Sequence, residues 1–304
     1  RVNAGRRTLI IMDAPPPQED CRPFVHAAEV FADAGFNVPK VVFQDLQQGF
    51  LALSDLGDTT MLARIESAPE QSDALYRAAC AQLITLQQTS RPGVFANYDH
   101  ATQMTELRLF DQWYLVKHLG AQLSDAEQKQ LFAVYETILA NTLAQPQVFV
   151  HRDWHSRNLM VQNGHPASAS NPLAVIDFQD ALFGPVTYDL ASLLRDAYID
   201  WPEDQQIDWA VRYWDAARAA AIPVHADFGD FYRDFEWMGL QRQLKVLGIF
   251  ARLALRDGKQ TYLADMPRVL TYVLAVSRRY REFAPLVSLL RRLDGATEQS
   301  ALTF

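Results

Sequence analysis

His151-Arg152-Asp153-Trp154-His155-Ser156-Arg157-Asn158 is the stretch on which the reading of this chain turns. It follows Val148-Phe149-Val150 directly, so the polar side chains stand at the end of a short apolar strand. Its fixed positions read H-x-D-x-x-x-x-N, with the carboxylate of Asp153 and the carboxamide of Asn158 on one loop. Phosphoryl transfer to an alcohol requires a carboxylate beside the attacking hydroxyl and an oxygen ligand for Mg²⁺ nearby. Asp153 and Asn158 supply those two groups.

Three fixed positions also arise by chance, so the pattern of a kinase catalytic loop needs support from elsewhere in the chain. Ile176-Asp177-Phe178-Gln179-Asp180 supplies it, an acidic residue at the end of the apolar run Leu173-Ala174-Val175-Ile176. A second carboxylate on a neighbouring strand end lets Asp177 and Asn158 hold a metal from two sides while Asp153 faces the acceptor. The third piece, Gly184-Pro185-Val186-Thr187-Tyr188-Asp189-Leu190, opens a helix at which Asp189 accepts hydrogen bonds from backbone amides and braces the catalytic loop.

Composition bounds the remaining possibilities. At 304 residues the chain exceeds the size of a single small core, and two unequal lobes are expected. With 49% hydrophobic and 21% charged residues it reads as an ordinary globular protein. The 28 basic and 36 acidic residues leave a formal charge of −8, and no basic block exceeds a pair of arginines, which argues against a nucleic-acid partner. Cys21 and Cys80 are too few for a disulfide framework and wrongly spaced for a metal site. No apolar run reaches membrane-spanning length and Arg1-Val2-Asn3-Ala4-Gly5 carries no signal-peptide core, so neither a membrane nor a protein partner is implied and the cytoplasm is expected.

Along the chain, Thr8 to Asp13 reads as a strand halted by Pro15-Pro16-Pro17, Cys21 to Ala34 as a helix, and Val38–Phe43 with Phe50–Leu53 as a hairpin. Helical patterns then dominate: Ser72 to Gln88, Thr102 to Leu119, a helix capped by Ser124-Asp125-Ala126-Glu127, Tyr188 to Ile199, Glu203 to Ala221, Phe228 to Leu255 and Gln260 to Phe283. The organisation expected is a β-rich N-terminal lobe over residues 1–53, a linker at 54–58, and a helical catalytic and substrate-binding lobe over 59–304.

These motifs resemble the aminoglycoside phosphotransferase and choline kinase superfamily, whose signature is such a loop, an I-D-F/W stretch and a G-P-x-x-Y-D-L helix start. Met12 to Pro17, His151 to Met160 and Ile176 through Trp201-Pro202 are similar, within it, to the anomeric amino-sugar kinases of bacterial peptidoglycan recycling. The resemblance implies an α+β, protein-kinase-like two-lobed fold, ATP and Mg²⁺ as cofactors, and an amino-sugar acceptor phosphorylated at C1. It makes Asp153 the base and Asn158 and Asp177 the metal ligands, and it brings adenine to backbone groups of Leu53, Ser54 and Asp55. Arg157 is expected to reach the transferring phosphoryl group.

Several features depart from that pattern. Met12 or Asp13 stands where related kinases carry a phosphate-gripping lysine, Lys40 enters a strand after Pro39, and the glycine-rich loop is absent, so the N-lobe reads as truncated at its start. Glu29 is either the helix partner of the missing lysine or an exposed helical residue. Arg6 and Arg7 are either substitutes for it or surface residues. For the acceptor, His155, Arg195, Tyr198, Trp201, Glu236, Trp237 and Arg242 are candidates. The acidic run Asp196, Asp200, Glu203 and Asp204 leaves an aminoglycoside or other alcohol acceptor open, and a sugar-binding pseudokinase without turnover is the reading of a different class.

Overall fold

The computed structural model describes residues 1–5, 7–162 and 173–301, without the side chains of Ala4, Arg7 and residues 295–301. Leu51 and Leu53 are buried while Phe50 is exposed, the two-residue period of a strand with one covered face. That strand is β4, central in a four-stranded antiparallel sheet. In chain order the elements are β1 (Val2–Ala4), β2 (Arg7–Asp13), helix α1 (Arg22–Asp33), β3 (Val41–Asp45) and β4 (Phe50–Ser54), and the sheet order is β1-β2-β4-β3. The turn between β3 and β4 is held by Asp45, whose Oδ1 accepts the N–H groups of Gln47 and Gln48. Gly49 closes it at φ +77°, where a Cβ would lie 2.1 Å from the Ala14 carbonyl oxygen.

Helices α2 (Met61–Ser67), α3 (Ser72–Gln88) and α4 (His100–Leu109) follow, and α4 widens into a π-helix over Phe110–His118. Next come α5 (Asp125–Ala144), strands β5 (Gln147–Val150), β6 (Leu159–Val161), β7 (Leu173–Val175) and β8 (Leu182–Pro185), and α6 (Tyr188–Leu194). The chain ends with α7 (Glu203–Ala219), α8 (Phe228–Asp257), α9 (Met266–Arg279) and α10 (Ala284–Ala301). β5 pairs with β8 and β6 with β7, each antiparallel.

The chain divides into two compact units whose membership cuts across the expected linker at 54–58. The first contains Arg1–Asn97, Gln147–Leu194 and Pro202–Val224, and its core is aromatic. Phe178 is fully buried with its ring 4.9 Å from Phe24 and 5.4 Å from Phe31, so α1 packs directly on the second motif. Trp209, which stacks on Tyr76 at 4.0 Å, is also core.

The second unit contains Tyr98–Pro146, Arg195–Trp201 and His225–Phe304. Its core gathers Leu131, Tyr135 and Ile138 of α5 with Leu240, Leu244 and Leu247 of α8 and Val269 and Val273 of α9. The capping box on α5 forms as expected, with Ser124 Oγ accepting from the Glu127 amide and the Glu127 carboxylate accepting from the Ser124 amide. No helix among the described residues is long and apolar enough to cross a membrane.

Gly248 marks a close approach of α8 to Leu109, because a Cβ there would lie 2.3 Å from the Leu109 carbonyl carbon. Alanine raises helix propensity by about 1 kcal/mol over glycine, but a clash with backbone has no flexible atom to yield. Gly248→Ala is therefore expected to lower stability by roughly 1–3 kcal/mol, read as a lower urea midpoint at unchanged m-value.

Candidate active site

The site begins with a buried carboxylate. Asp189, near the start of α6 and 1% exposed, accepts the backbone N–H of His151 at 2.6 Å and of Arg152 at 3.0 Å. These amides stand in the turn after β5 where Arg152 has φ 76°, a left-handed conformation that a non-glycine residue adopts at a cost of about 1–3 kcal/mol. Charge-assisted hydrogen bonds offset that strain.

His151 extends the bracing. Its ring accepts the Asp153 N–H at Nδ1 (3.2 Å), which leaves Nε2 as the donor to the Ile176 carbonyl at 3.0 Å. The imidazole is fully buried against the edges of Phe31 and Trp154. Burial lowers its pKa from 6.5 to about 4, and the opposing pull of Asp153 and Asp177 is too weak to restore it.

The strand end carrying Asp177 is therefore tied to the loop carrying Asp153. The Ile176 amide donates to the Asn158 carbonyl at 3.1 Å, and the Asn158 Nδ2 donates to Asp177 Oδ2 at 3.1 Å and to the Asp153 carbonyl at 3.0 Å. Asp177 is exposed and has φ 65°, so its carboxylate turns out of the strand instead of continuing it. Gln179 Nε2 donates to its other oxygen, Oδ1, at 2.9 Å. Each carboxylate oxygen keeps a lone pair beyond these bonds. One carboxylate, one carboxamide oxygen and phosphate oxygens form the donor set that Mg²⁺ accepts.

Beside these residues, within the same unit, is an apolar cavity of about 280 Å³. Ile10, Phe24 and Leu53 line one part, Met160 and Ile176 another, and Ser54 to Gly57 the rim. A planar heterocycle fits such a slot. Of the expected adenine contacts, Ser54 donates its N–H to the Lys40 carbonyl at 2.9 Å, and Leu53 is paired with Ile10 and Val41 in the sheet. These bonds engage Leu53 and the Ser54 N–H, and the backbone of Asp55 and Leu56 follows beyond the strand. The Asp55 carboxylate is held by Arg1 and the Gly57 amide, and its pKa lies below the usual range, chiefly through a hydrogen bond from Thr8.

Glu29 is not in this cavity. It is exposed on α1 and lines with Lys40 a different groove against β3, because its position on the helix faces away from the buried Phe24–Phe31 side. Asp153 is half-buried and Arg157 exposed. His155 is a backbone member of the loop, donating its N–H to the Asp153 carbonyl and accepting the Asn158 N–H. Arg195, Trp201, Glu236 and Arg242 all belong to the second unit, where Arg195 and Glu236 form an ion pair at 2.9 Å. Arg6 lies outside the described residues, as does the side chain of Arg7. Sequence reasoning missed the bracing by His151, the packing of Phe178 and the hold of Gln179 on Asp177, although His151 and Gln179 flank the motifs.

The model of the phosphotransferase enzyme family matches residues 1–232. A Neisseria meningitidis protein named N-acetylmuramate/N-acetylglucosamine kinase is 45% identical over 300 residues, covering 98% of this chain and 87% of its own. The protein of the same name from Pseudomonas aeruginosa is 45% identical over 298 residues, 98% of this chain and 86% of its own. Among solved structures, a choline kinase from Streptococcus pneumoniae superposes with a TM-score of 0.62 at 13% identity, covering 90% of this chain and 88% of that one. An ADP-bound aminoglycoside phosphotransferase gives 0.52 at 16% identity, covering 82% and 81%.

Two outcomes follow for this site. His151 binds a proton more weakly folded than unfolded, so its contribution to stability is complete above about pH 6.5 and is lost as pH falls toward 4. The slope approaches about 1.4 kcal/mol per pH unit in that window. Urea unfolding of His151→Gln should show a flatter pH dependence there than the parent. Replacing Gln179 with alanine should weaken Mg²⁺ binding roughly 10-fold, seen as a shifted Mg²⁺ titration of the thermal stabilisation by ADP.

Proposed function

The chain belongs to the phosphotransferase enzyme family, and from that premise we propose that it transfers the γ-phosphoryl group of ATP to the C1 hydroxyl of N-acetylmuramate and N-acetylglucosamine. The observation that carries the phosphotransfer reading is the 3.1 Å approach of Asn158 to Asp177, on a loop that also carries Asp153. The amino-sugar acceptor is supported by the 45% identity, over nearly the whole chain, to kinases of that name.

In this reading the adenine occupies the apolar slot of Ile10, Phe24, Leu53, Met160 and Ile176 and meets the backbone of Asp55 and Leu56. Asn158 and Asp177 would hold Mg²⁺, which neutralises charge on the phosphate oxygens when bound. Asp153 accepts a hydrogen bond from the acceptor hydroxyl and aims it at phosphorus. An anomeric hydroxyl is more acidic than other sugar hydroxyls, so orientation is the larger part of what Asp153 contributes. Arg157, exposed at the end of the loop, extends its guanidinium to the equatorial oxygens of the transferring group. ATP as donor goes with a cytoplasmic location.

The test is an ADP-release assay over a panel of acceptors with identification of the phosphorylated carbon. N-acetylmuramate and N-acetylglucosamine should be phosphorylated at C1, and kanamycin should not be turned over. Asp153→Asn should lower kcat by about 10²–10⁴-fold while leaving thermal stabilisation by Mg²⁺-ADP intact. Wild-type turnover in that variant would remove Asp153 from the mechanism.

A further inference from the structure

In the first unit, β6 runs from one proposed metal ligand to the rim of the apolar slot. Asn158 directly precedes the strand, Met160 within it lines the slot, and Gln162 directly follows its last residue, Val161. Met160 and Gln162 are two residues apart, so in extended chain they project to the same side. Gln162 is half-buried, and its Nε2 donates to the Leu56 carbonyl at 3.2 Å.

The segment that follows the rim is fastened to β6 and to the loop before it by main-chain contacts. The Val161 amide donates to the Thr59 carbonyl at 2.8 Å, Thr60 bridges Met160 in an antiparallel sense, and the Leu62 amide donates to the Ser156 carbonyl at 2.9 Å. Leu56 lines the slot, whereas Thr59, Thr60 and Leu62 do not. Between Leu56 and these contacts the chain bends at Gly57, which has φ 92° and donates its amide to Asp55 Oδ1 at 3.0 Å. At the residue nearest the slot, the hold of the rim on β6 is therefore made by a side chain and depends on which residue stands at position 162.

We propose that Gln162 is a positioning residue that sets the nucleotide preference, holding the Leu56 carbonyl to β6 so that the rim suits adenine and disfavours guanine, an inference that rests on the nucleotide reading above. Adenine presents one donor, its N6 amino group, beside the acceptor N1. Guanine presents N1–H and its N2 amino group as neighbouring donors, with O6 as the acceptor. A carbonyl aimed at Gln162 is not aimed at a base, so the second donor of guanine goes unmet among apolar walls. A site discriminates against a ligand whose polar groups it leaves unpaired. Because β6 also leads back to Asn158, loss of the Gln162 contact loosens the base end of the strand and leaves the metal end in place.

Calorimetric titration of the whole chain with Mg²⁺-ADP and with Mg²⁺-GDP tests this without an acceptor. The wild-type protein is expected to bind ADP about 10-fold more tightly than GDP. Gln162→Glu keeps the outline of the side chain but has no donor when ionised, and Gln162→Ala removes it. Each should weaken ADP about 3–10-fold without an equal loss of GDP, so that the preference falls toward parity. The Mg²⁺ dependence of ADP binding should stay at the wild-type value. In ADP-release assays the KM for ATP should rise while kcat at saturating ATP holds, and urea midpoints check that both variants fold. A wild-type protein without preference for ADP, equal loss of both nucleotides in the variants, or an unchanged ratio overturns the proposal. A wild-type protein that binds neither nucleotide overturns the nucleotide reading and this inference with it. Binding without phosphorylation of any acceptor overturns the catalytic reading and leaves the role of Gln162 standing.

Discussion

The arrangement of the first unit depends on where two backbone amides send their hydrogens. After β5 the chain reverses through His151 and Arg152, and the left-handed turn at Arg152 points both N–H groups into the interior. Without an acceptor there, each would be a buried, unsatisfied donor. Asp189 meets both, and because the acceptor is ionised and the bonds are short, the pair holds more strongly than neutral partners would. Every other distance in the site is set downstream of this contact. The His151 ring connects Asp153 on one side to the Ile176 carbonyl on the other, so loop and strand end share one post. A protonated His151 could not accept from Asp153, which makes burial of the neutral ring a geometric requirement as well as an electrostatic one.

Packing extends the same logic to the N-terminal segment. Phe178 follows Asp177 directly and is buried between Phe24 and Phe31 of α1, so the turn that presents Asp177 is clamped by aromatic contact on one side and by Asn158 and Gln179 on the other. The Asn37 carbonyl accepts the Val175 amide just after α1. Residues distant in sequence thus form one unit. A boundary drawn from the change in residue pattern near Gly57 marks where strands give way to helices, whereas compactness follows these contacts.

What the sequence made legible is local. The polar loop after β5, the acidic strand end and the Tyr188-Asp189 helix start all occupy the places their residues indicated, and the α5 cap was readable from Ser124 and Glu127 alone. Periodicity failed where tertiary contacts decide. The helix read through Ile199 stops at Leu194, because Arg195 and Asp196 turn into buried polar contacts instead of continuing a stripe. Gln260 to Phe283 is broken, with Pro267 in the first turn of α9 and extended backbone at Tyr280. The half of α4 read as ordinary helix to Leu119 widens at Phe110. β1, β6 and β8 are three or four residues long, too short for an alternation to register, and α2 and α10 had no reading. The contacts of Gln179 and Phe178 could not be inferred from spacing, since their partners lie on other elements.

The slot proposed for adenine shows how recognition can leave little trace in side chains. Its walls are apolar, and the two polar side chains of its rim are committed to structure: Ser54 Oγ accepts the Lys40 amide, and Asp55 is bound to Arg1, Gly57 and Thr8. Gln162 occupies the Leu56 carbonyl. In the proposed reading, what remains for the base is the main chain just beyond β4, whose direction is fixed by the ladder to β2 and β3. Any sequence that ends the strand at the same residue would present the same groups. Metal and phosphate chemistry, by contrast, demands particular atoms at particular places, which is why the roles proposed for Asp153, Asn158 and Asp177 can be read in the sequence and that proposed for the rim cannot.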